Sequence, residues 1–398
     1  MEVVSRCRHL PGLVFFDSAL EGDSSGRQSI IAASPSEVFT GHTEEDWATL
    51  AGKIASHRVE GAVDQGVPCG FAAGSVNYDG SFCFGFYNDL LIHRHSDQSW
   101  LAVGDLASRM AVQEPRSIAT KPVFASNITR GEFCDMVRKA KEYIAAGDIY
   151  QVNLSQQFAA PWQGDPLRYY EALRHYSPAP YAAYLDLEGR VVLSSSPELF
   201  LAMSGRNIRT RPIKGTRPRH ADAETDELSA YELITSPKEI AELVMITDLE
   251  RNDLGRVCGY GSVRVRELLK LERYEQVFHL VSTVEGDLRE EVSHVAALQS
   301  CFPGGSITGA PKKRAREIIA ELEPAPRGLY TGAIGYFGYN GESQFNIAIR
   351  TLVIENGIAH FHTGAGIVAD SLPENEYEET LHKAAGILMA AERLGETD

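Results

Sequence analysis

The sequence predicts an α+β fold. Short apolar runs suited to β-strands recur along the chain, and helical stretches fall between them without strict alternation. A doubly wound parallel sheet would need that alternation. The 398 residues are 43% hydrophobic and 23% charged, an ordinary globular balance. Such a length holds about two or three average domains, or one large domain with a smaller companion.

Residues 1–110 read as strand-rich, with apolar runs at 12–16, 70–76 and 82–86 between Gly, Asp and Ser clusters. Residues 111–127 lack periodicity and contain Pro115 and Pro122, so they read as a connection. This divides the chain into an N-terminal region, 1–115, and a larger domain, 125–395. Thr129 and Glu132 form a capping box opening a helix to about residue 146. Ser236 and Glu239 form another, with Pro237 at the first helical position and a helix running to about residue 250. Further helices are expected from near Pro311 and from near Pro373 to about residue 394. Strand-like runs lie at 150–158, 181–187, 190–193, 274–284, 332–336, 344–354 and 358–362.

Composition excludes several classes. Lys and Arg total 38 against 54 acids, a formal charge of −16, which argues against nucleic acid as a partner. No apolar run approaches the roughly 18 residues that would suggest a membrane span. No secretory leader is evident. The six scattered cysteines include no C-x-x-C pair and read as reduced thiols. A cytoplasmic protein is expected.

Lys214 is the most informative single residue. It sits in Arg-Thr-Arg-Pro-Ile-Lys-Gly-Thr-Arg-Pro-Arg (209–219), with four arginines within five positions. Neighbouring like charge favours the neutral amine, which is the nucleophilic form. Taken alone, the run reads first as a surface lysine in a solvated basic stretch.

Two helices each carry a Glu-x-x-Glu pair, Glu239 with Glu242 and Glu376 with Glu379. Spacing of i, i+3 puts each pair on one helical face, and two such faces would make an oxygen cage for a hard cation, most plausibly Mg²⁺. Apolar residues follow Glu242, so its carboxylate borders a buried stretch and needs a partner. Residues 304–311 form a glycine-rich loop before a helix, suited to an anion. Ala310 stands where a phosphate loop requires lysine, which disfavours a nucleoside triphosphate. Gly364-Ala-Gly366-Ile-Val-Ala369 has dinucleotide-fingerprint spacing, but only one helix's length of chain follows, so no βαβ unit can form. Glu198, His279 and Arg350 interrupt apolar patterns. No serine elbow or amidase nucleophile is visible.

In this order the motifs resemble those of the chorismate-utilising enzymes. The matching runs are GDIYQVNLSQQF (147–158), SSSPELFL (194–201), RPIKGTRPR (211–219), AELVMITDLERNDLGRV (241–257) and FHLVSTVEG (278–286). They continue with FPGGSITGAPK (302–312), GLYTGAIGY (328–336), GAGIVADS (364–371) and EYEET (376–380). The resemblance spans about residues 125–395 and implies a fold of mainly antiparallel sheets packed face to face with helices outside.

It also implies an Mg²⁺-dependent reaction of chorismate. Gln151 stands where members that attack with water carry a lysine, so this chain is similar to those using ammonia. Lys214 replaces the alanine of members that aminate the ring ortho to its carboxylate. By position, Lys214 would be the nucleophile and Glu198 the acid and base. Glu242 and Glu379 would hold Mg²⁺, with Glu239 and Glu376 near it. Arg350, Tyr330 and amides near Gly364 and Gly366 would bind the enolpyruvyl carboxylate, and Gly215, Thr216, His279 and Thr308 would line the ring pocket. Ammonia would come from a glutamine amidotransferase partner. An ortho-aminating member and a non-catalytic chorismate-binding subunit remain the alternatives.

Overall fold

A computed structural model describes residues 1–18, 28–59, 66–111, 120–274 and 277–394. Two large sheets dominate it. The first has eleven strands, running from Gly309–Ala310 through Gln151–Pro161, Ile358–Ile367, Thr351–Glu355, Arg190–Ser196 and Tyr181–Leu187 to four N-terminal strands between Val14 and Val103. The second has ten, from Ile213–Pro218 through Val277–Asp287, Asn207–Arg211, Leu199–Ser204, Glu342–Ile347 and Ala333–Gly338 to Phe71–Val76, Phe82–Tyr87 and Glu37–Gly41. The described pairings are antiparallel throughout.

The sheets face each other across one apolar layer in which Phe16 and Ile30 of the first meet Phe71 and Tyr336 of the second. The Phe16 ring is 5.2 Å from Tyr336 and 5.9 Å from Phe71, both edge-on, a favourable aromatic geometry. Helices cover the outer faces. Pro166–Tyr176 and Pro373–Arg393 contribute to a core with the first sheet, as do Arg130–Ala145 and Lys312–Leu322 in a separate cluster. Glu44–Ser56, Pro237–Gly255 and His294–Cys301 pack on the second.

Strands of the N-terminal region do not form a sheet of their own. Val14–Asp17 pairs with Tyr181–Leu187, and Phe71–Val76 pairs with Ala333–Gly338, so both sheets run through the expected boundary at 115–125.

The sequence motifs behave locally as their chemistry dictates. Thr129 and Glu132 close a reciprocal capping box, and the helix runs Arg130–Ala145. Ser236 caps the amide of Glu239, yet the Glu239 carboxylate turns away and pairs with Arg217 at 3.7 Å instead of closing a box. The expected strand 344–354 is two strands in different sheets. Glu342–Ile347 ends in the second sheet, residues 348–350 cross over, and Thr351–Glu355 begins in the first. Arg350 takes φ +49° at this crossing. The chain also crosses between Ser196 and Leu199, carrying Pro197 and Glu198. The two crossings bond to each other, Ile347 N to Glu198 O at 3.1 Å and Ser195 N to Arg350 O at 3.1 Å.

Phe345 is fully buried in the second sheet, 4.7 Å from the Phe337 ring and 6.3 Å from Phe84. Replacing it with alanine is expected to lower the unfolding free energy by roughly 3–5 kcal/mol in urea titrations. A loss below about 1 kcal/mol would mean that this core closes around the gap.

Candidate active site

A cavity of about 890 Å³ opens where the ends of the two sheets meet the first turns of the Pro237–Gly255 and Pro373–Arg393 helices. Its wall includes Lys214, Gly215, Thr216, Glu198, Arg350, Tyr330, His279, Gly364, Gly366, Glu239, Glu242 and Glu379. Three sequence-derived residues lie just outside this wall. Thr308 is fully buried and donates its hydroxyl to Gly304 O at 2.8 Å, while its neighbours Ser306 and Ile307 face the cavity. Gln151 lies behind Gly366, where a Cβ would stand 2.6 Å from its Nε2 and 3.8 Å from Lys214 Nζ. Glu376 is 3% exposed behind Glu379.

The arginines flanking Lys214 in sequence do not crowd it as a group. Arg211 pairs with Glu272, Arg217 with Glu239, and Arg219 with Asp226, because strand alternation and the break at Pro212 send them in different directions. The cation crowding expected from the linear sequence is therefore replaced by a carboxylate, Glu242, at 3.9 Å from Lys214 Nζ. A bulge at Gly215, φ +73°, separates Lys214, opposite Leu280, from Thr216, opposite His279.

Glu198 is 5% exposed and its Oε1 has no hydrogen-bond partner. Burial raises its carboxyl above the usual range, against the opposing influence of Ser306 and Lys214. Thr216 Oγ1 lies 3.0 Å from His279 Nδ1. Burial, with Arg350 nearby, lowers the His279 imidazole to about 4, so the ring is neutral at physiological pH. Burial also raises the Tyr330 phenol, which receives a hydrogen bond from Asn153 Nδ2 at 3.4 Å. Around the site Gln151 Oε1, Ser306 Oγ, His362 Nε2 and Glu376 Oε2 are likewise buried without partners. Buried polar atoms are seldom left so, and this concentration beside a cavity points to a ligand that completes them.

The two Glu-x-x-Glu pairs lie on the two helices that border the cavity, with Glu239, Glu242 and Glu379 in its wall. Each carboxylate has a cationic neighbour: Glu239 has Arg217 at 3.7 Å, Glu242 has Lys214 at 3.9 Å, Glu376 has Lys238 at 3.7 Å, and Glu379 has Lys383 at 2.6 Å. Burial raises Glu242 and Glu376, whereas at Glu379 burial is outweighed by Lys383 together with Lys238 and Lys214, which hold it low. Among the described residues, no three acidic, His or Cys side chains are gathered closely enough to grip a metal ion as they stand.

The glycine motifs divide. Gly364 and Gly366 lie inside the Ile358–Ile367 strand, with no strand-to-helix turn, so the dinucleotide reading fails on geometry. Sequence reasoning missed Ser306, His362, Lys238 and Lys383. Of these only Lys383 carried a signal, four residues beyond Glu379 on the same helical face.

A model of the chorismate binding enzyme family matches residues 26–389. The chain belongs to that family. Aminodeoxychorismate synthase component 1 of Bacillus subtilis (strain 168) is 49% identical over 269 residues, 68% of this chain and 57% of that protein. Anthranilate synthase component 1 of Thermus thermophilus is 50% identical over 269 residues, 68% of this chain and 58% of that protein. The aligned region thus spans less than two thirds of these family members. Anthranilate synthase component I from Streptococcus pneumoniae TIGR4 superposes with TM-score 0.82 at 29% identity, covering 93% of each chain. The menaquinone-specific isochorismate synthase MenF from Escherichia coli shares the fold, with TM-score 0.79 at 17% identity over 98% of this chain and 91% of that one. No helix among the described residues is long and apolar enough to cross a membrane.

In this family scaffold Gly215 can be tested directly. A Cβ there would stand 2.6 Å from Leu233 Cδ1 and 3.1 Å from Glu239 Oε2, on left-handed backbone. Gly215→Ala is expected to cost about 1–2 kcal/mol from the backbone conformation alone and to lower the thermal midpoint. An unchanged midpoint would mean the bulge flattens without penalty.

Proposed function

We propose that this chain is component I of aminodeoxychorismate synthase, joining chorismate and ammonia to give 4-amino-4-deoxychorismate. The supporting observation is Lys214, whose side chain is only 18% exposed and which lines the same cavity as the buried acid Glu198. Anthranilate synthases are equally similar in sequence, so the lysine and not the overall likeness carries the distinction.

The chemistry explains why a lysine matters. Nitrogen must enter at ring C4, the carbon that loses hydroxyl. As the neutral amine, Lys214 adds through Nζ at C2, the ring double bond shifts, and the C4 hydroxyl departs as water with a proton from Glu198. Ammonia then adds at C4, the double bond shifts back, and the Lys214 amine is released from C2. Glu198 takes the surplus proton from the new nitrogen and is ready for another cycle. Two displacements replace one difficult substitution. A carboxyl raised by burial suits the proton donor, a role commonly worth about 10²–10⁴ in rate.

The other residues bind and orient. Arg350 and Tyr330 receive the enolpyruvyl carboxylate, helped by the open backbone at Gly364 and Gly366. Neutral His279, held by Thr216, borders the ring. Gln151 would orient the incoming nitrogen through its unpartnered Oε1.

The residues also fit Mg²⁺. All four carboxylates offer oxygen, and Glu376 Oε2 is buried and unpartnered. The cavity wall carries five basic and five acidic side chains. A dianionic substrate would unbalance that charge, and a divalent cation restores it. Glu242 and Glu379 would hold the ion, with Glu239 and Glu376 beside it, after exchanging their lysine and arginine neighbours. When bound, Mg²⁺ neutralises the ring carboxylate and withdraws electron density as a Lewis acid. Ammonia would be supplied by a glutamine amidotransferase subunit.

Lys214→Ala is expected to reduce 4-amino product formation on the order of 10²-fold or more, read by chromatography with chorismate, Mg²⁺ and ammonium. Intact-mass analysis after quenching wild type with chorismate alone should show an adduct that maps to Lys214. Full 4-amino product formation by Lys214→Ala would remove the covalent step, whereas release of pyruvate and an ortho-amine by wild type would transfer the assignment to anthranilate synthase. Glu379→Gln should keep the fold by circular dichroism and lose magnesium-dependent turnover. An unaltered magnesium titration would remove Glu379 from the ion's ligands.

A further inference from the structure

Two of the arginines that turn away from Lys214 converge on one residue of the cavity wall, Tyr274. Arg211 pairs with Glu272, and their side chains are only 6% and 10% exposed. Arg211 donates its Nη2 to Glu272 Oε1 and its Nε to Thr283 Oγ1 at 3.3 Å. Glu272 Oε2 accepts the Tyr274 hydroxyl at 2.8 Å. Arg219, bonded to both carboxylate oxygens of Asp226, donates Nη1 to the Tyr274 carbonyl at 2.8 Å. Its guanidinium also stands 4.7 Å from the centre of the buried Phe278 ring. The Tyr274 amide donates to Val277 O at 2.9 Å. Phenol, carbonyl and amide of this one residue are each tied, two of them by charge-assisted bonds.

The ring so fixed meets His279. Their centroids are 5.6 Å apart and the planes are inclined by 66°, an edge-on arrangement that aromatic rings favour. Strand register brings them together. Thr216, His279 and Glu272 lie directly opposite one another on three adjacent strands, Ile213–Pro218, Val277–Asp287 and Arg264–Arg273. Opposed residues project to the same face, and Tyr274, two positions beyond Glu272, returns to that face. The imidazole therefore has Thr216 Oγ1 3.0 Å from its Nδ1 and the Tyr274 ring against it, and all three residues line the cavity. These strands form one end of the second sheet, and both ladders are interrupted by register shifts. Backbone pairing alone holds such a wall less firmly than a regular ladder does.

We propose that Tyr274 is a positioning residue for His279: Arg211, acting through Glu272, and Arg219 fix it at its two ends, and its ring holds the imidazole in one orientation toward the bound substrate. The basic run around Lys214 then has a second use. Its lysine faces the substrate, while two of its arginines brace the neighbouring wall. The inference rests on His279 bordering the substrate ring, as proposed above, but not on which ring carbon is aminated.

The test uses the full chain with chorismate, Mg²⁺ and ammonium, and reads kcat and KM separately. Tyr274→Leu removes both ring and phenol and should raise the KM for chorismate roughly two- to ten-fold, the scale of one aromatic pair, with kcat little changed. Tyr274→Phe keeps the ring but loses the tie to Glu272, so its KM should fall between the two. His279→Gln should raise KM by itself, and adding Tyr274→Leu should raise it no further, because residues acting through one another are not additive. Multiplied effects in the double variant, or an unchanged KM in a folded Tyr274→Leu, would overturn the proposal. Nitrogen NMR of histidine-labelled protein gives a readout independent of activity, with the His279 signals assigned by their loss in His279→Gln. The wild type should show one fixed neutral tautomer, and Tyr274→Leu an averaged pair. Averaging already present in the wild type, or identical signals in both proteins, would count against a held imidazole. An unchanged KM in His279→Gln would instead remove the ring-pocket role given to His279 and this inference with it. Product identity enters none of these readouts, so failure here is distinguishable from failure of the C4-amination assignment.

Discussion

The wall of the cavity depends on one buried ion pair, Arg327 with Glu323. Their side chains are 1% and 4% exposed, and they meet in a fork, Nε to Oε2 at 2.8 Å and Nη2 to Oε1 at 2.7 Å. Arg327 also donates to Asn153 O at 2.6 Å, Thr331 Oγ1 at 3.1 Å and Ile307 O at 3.3 Å. Glu323 accepts both the amide and the hydroxyl of Ser155 at 2.8 Å. Removing two charges from water costs several kcal/mol per ion, and only near-complete hydrogen bonding offsets it. Here that condition is met, and its structural result is rigidity. The pair links the Gln151–Pro161 strand, the glycine-rich turn and the Tyr330 segment, while the guanidinium stands 5.5 Å from the Tyr330 ring centre. Burial alone would make Arg327 easier to deprotonate, but Glu323 outweighs it and holds the cation firmly charged.

The functional groups sit where the chain changes sheets, and this follows from the physics of sheets. Within a regular ladder the backbone polar groups are spent on neighbouring strands and side chains alternate between two packed faces. At a crossing that regularity ends, so a side chain can turn toward the open end of the sandwich. Glu198 and Arg350 occupy the two crossings, and mutual backbone bonds brace both. Lys214 reaches the same space from the second sheet through the bulge at Gly215, whereas Gly366 and Gln151 approach from the first. The distance between Lys214 and Gln151 is therefore set by how the two sheets pack. Aromatic contacts such as Phe16 with Tyr336 contribute to the geometry of the cavity although they lie away from it.

Much of this was legible in the sequence because it is local. The run 181–187 is a strand with the expected bounds, and Thr129 caps a helix one turn from its Glu132 partner. The paired glutamates share helical faces because i, i+3 spacing leaves little choice. What failed was long-range. The arginines around Lys214 are close in sequence but find acids on other elements. The Arg264–Arg273 strand is rich in charge and lies at the sheet edge with every second position more exposed, a pattern without an apolar run to announce it. The Ala223–Thr235 helix has a helix-like acidic first turn, but its apolar residues are split between exposed Leu228, Tyr231 and Ile234 and buried Ala230 and Leu233, so no single apolar stripe announces it. Glu250 lies in a polar run, Glu-Arg-Asn-Asp, that reads as a solvated helix end. Its burial depends on a loop some fifty residues later in the chain, 55 positions away at Gly305.

That loop shows why a glycine-rich motif cannot be interpreted from spacing alone. A phosphate loop works because several amides remain free and converge on one anion. Here Gly305 N is committed to Glu250 and Thr308 N to Gly305 O, while Ala310 O and Thr308 O accept amides from the neighbouring strand. The glycines serve close packing: Gly305 against the helix, and Gly309, whose Cβ would stand 2.3 Å from Gln151 O, against the strand. Donors consumed internally cannot also cradle a ligand's phosphates. What the loop can offer a ligand is the side chain it presents, and Ser306 Oγ, buried beside Glu198 without a partner, is the group left available. A motif that resembles an anion trap has instead become a rigid support for the cavity wall beside Glu198.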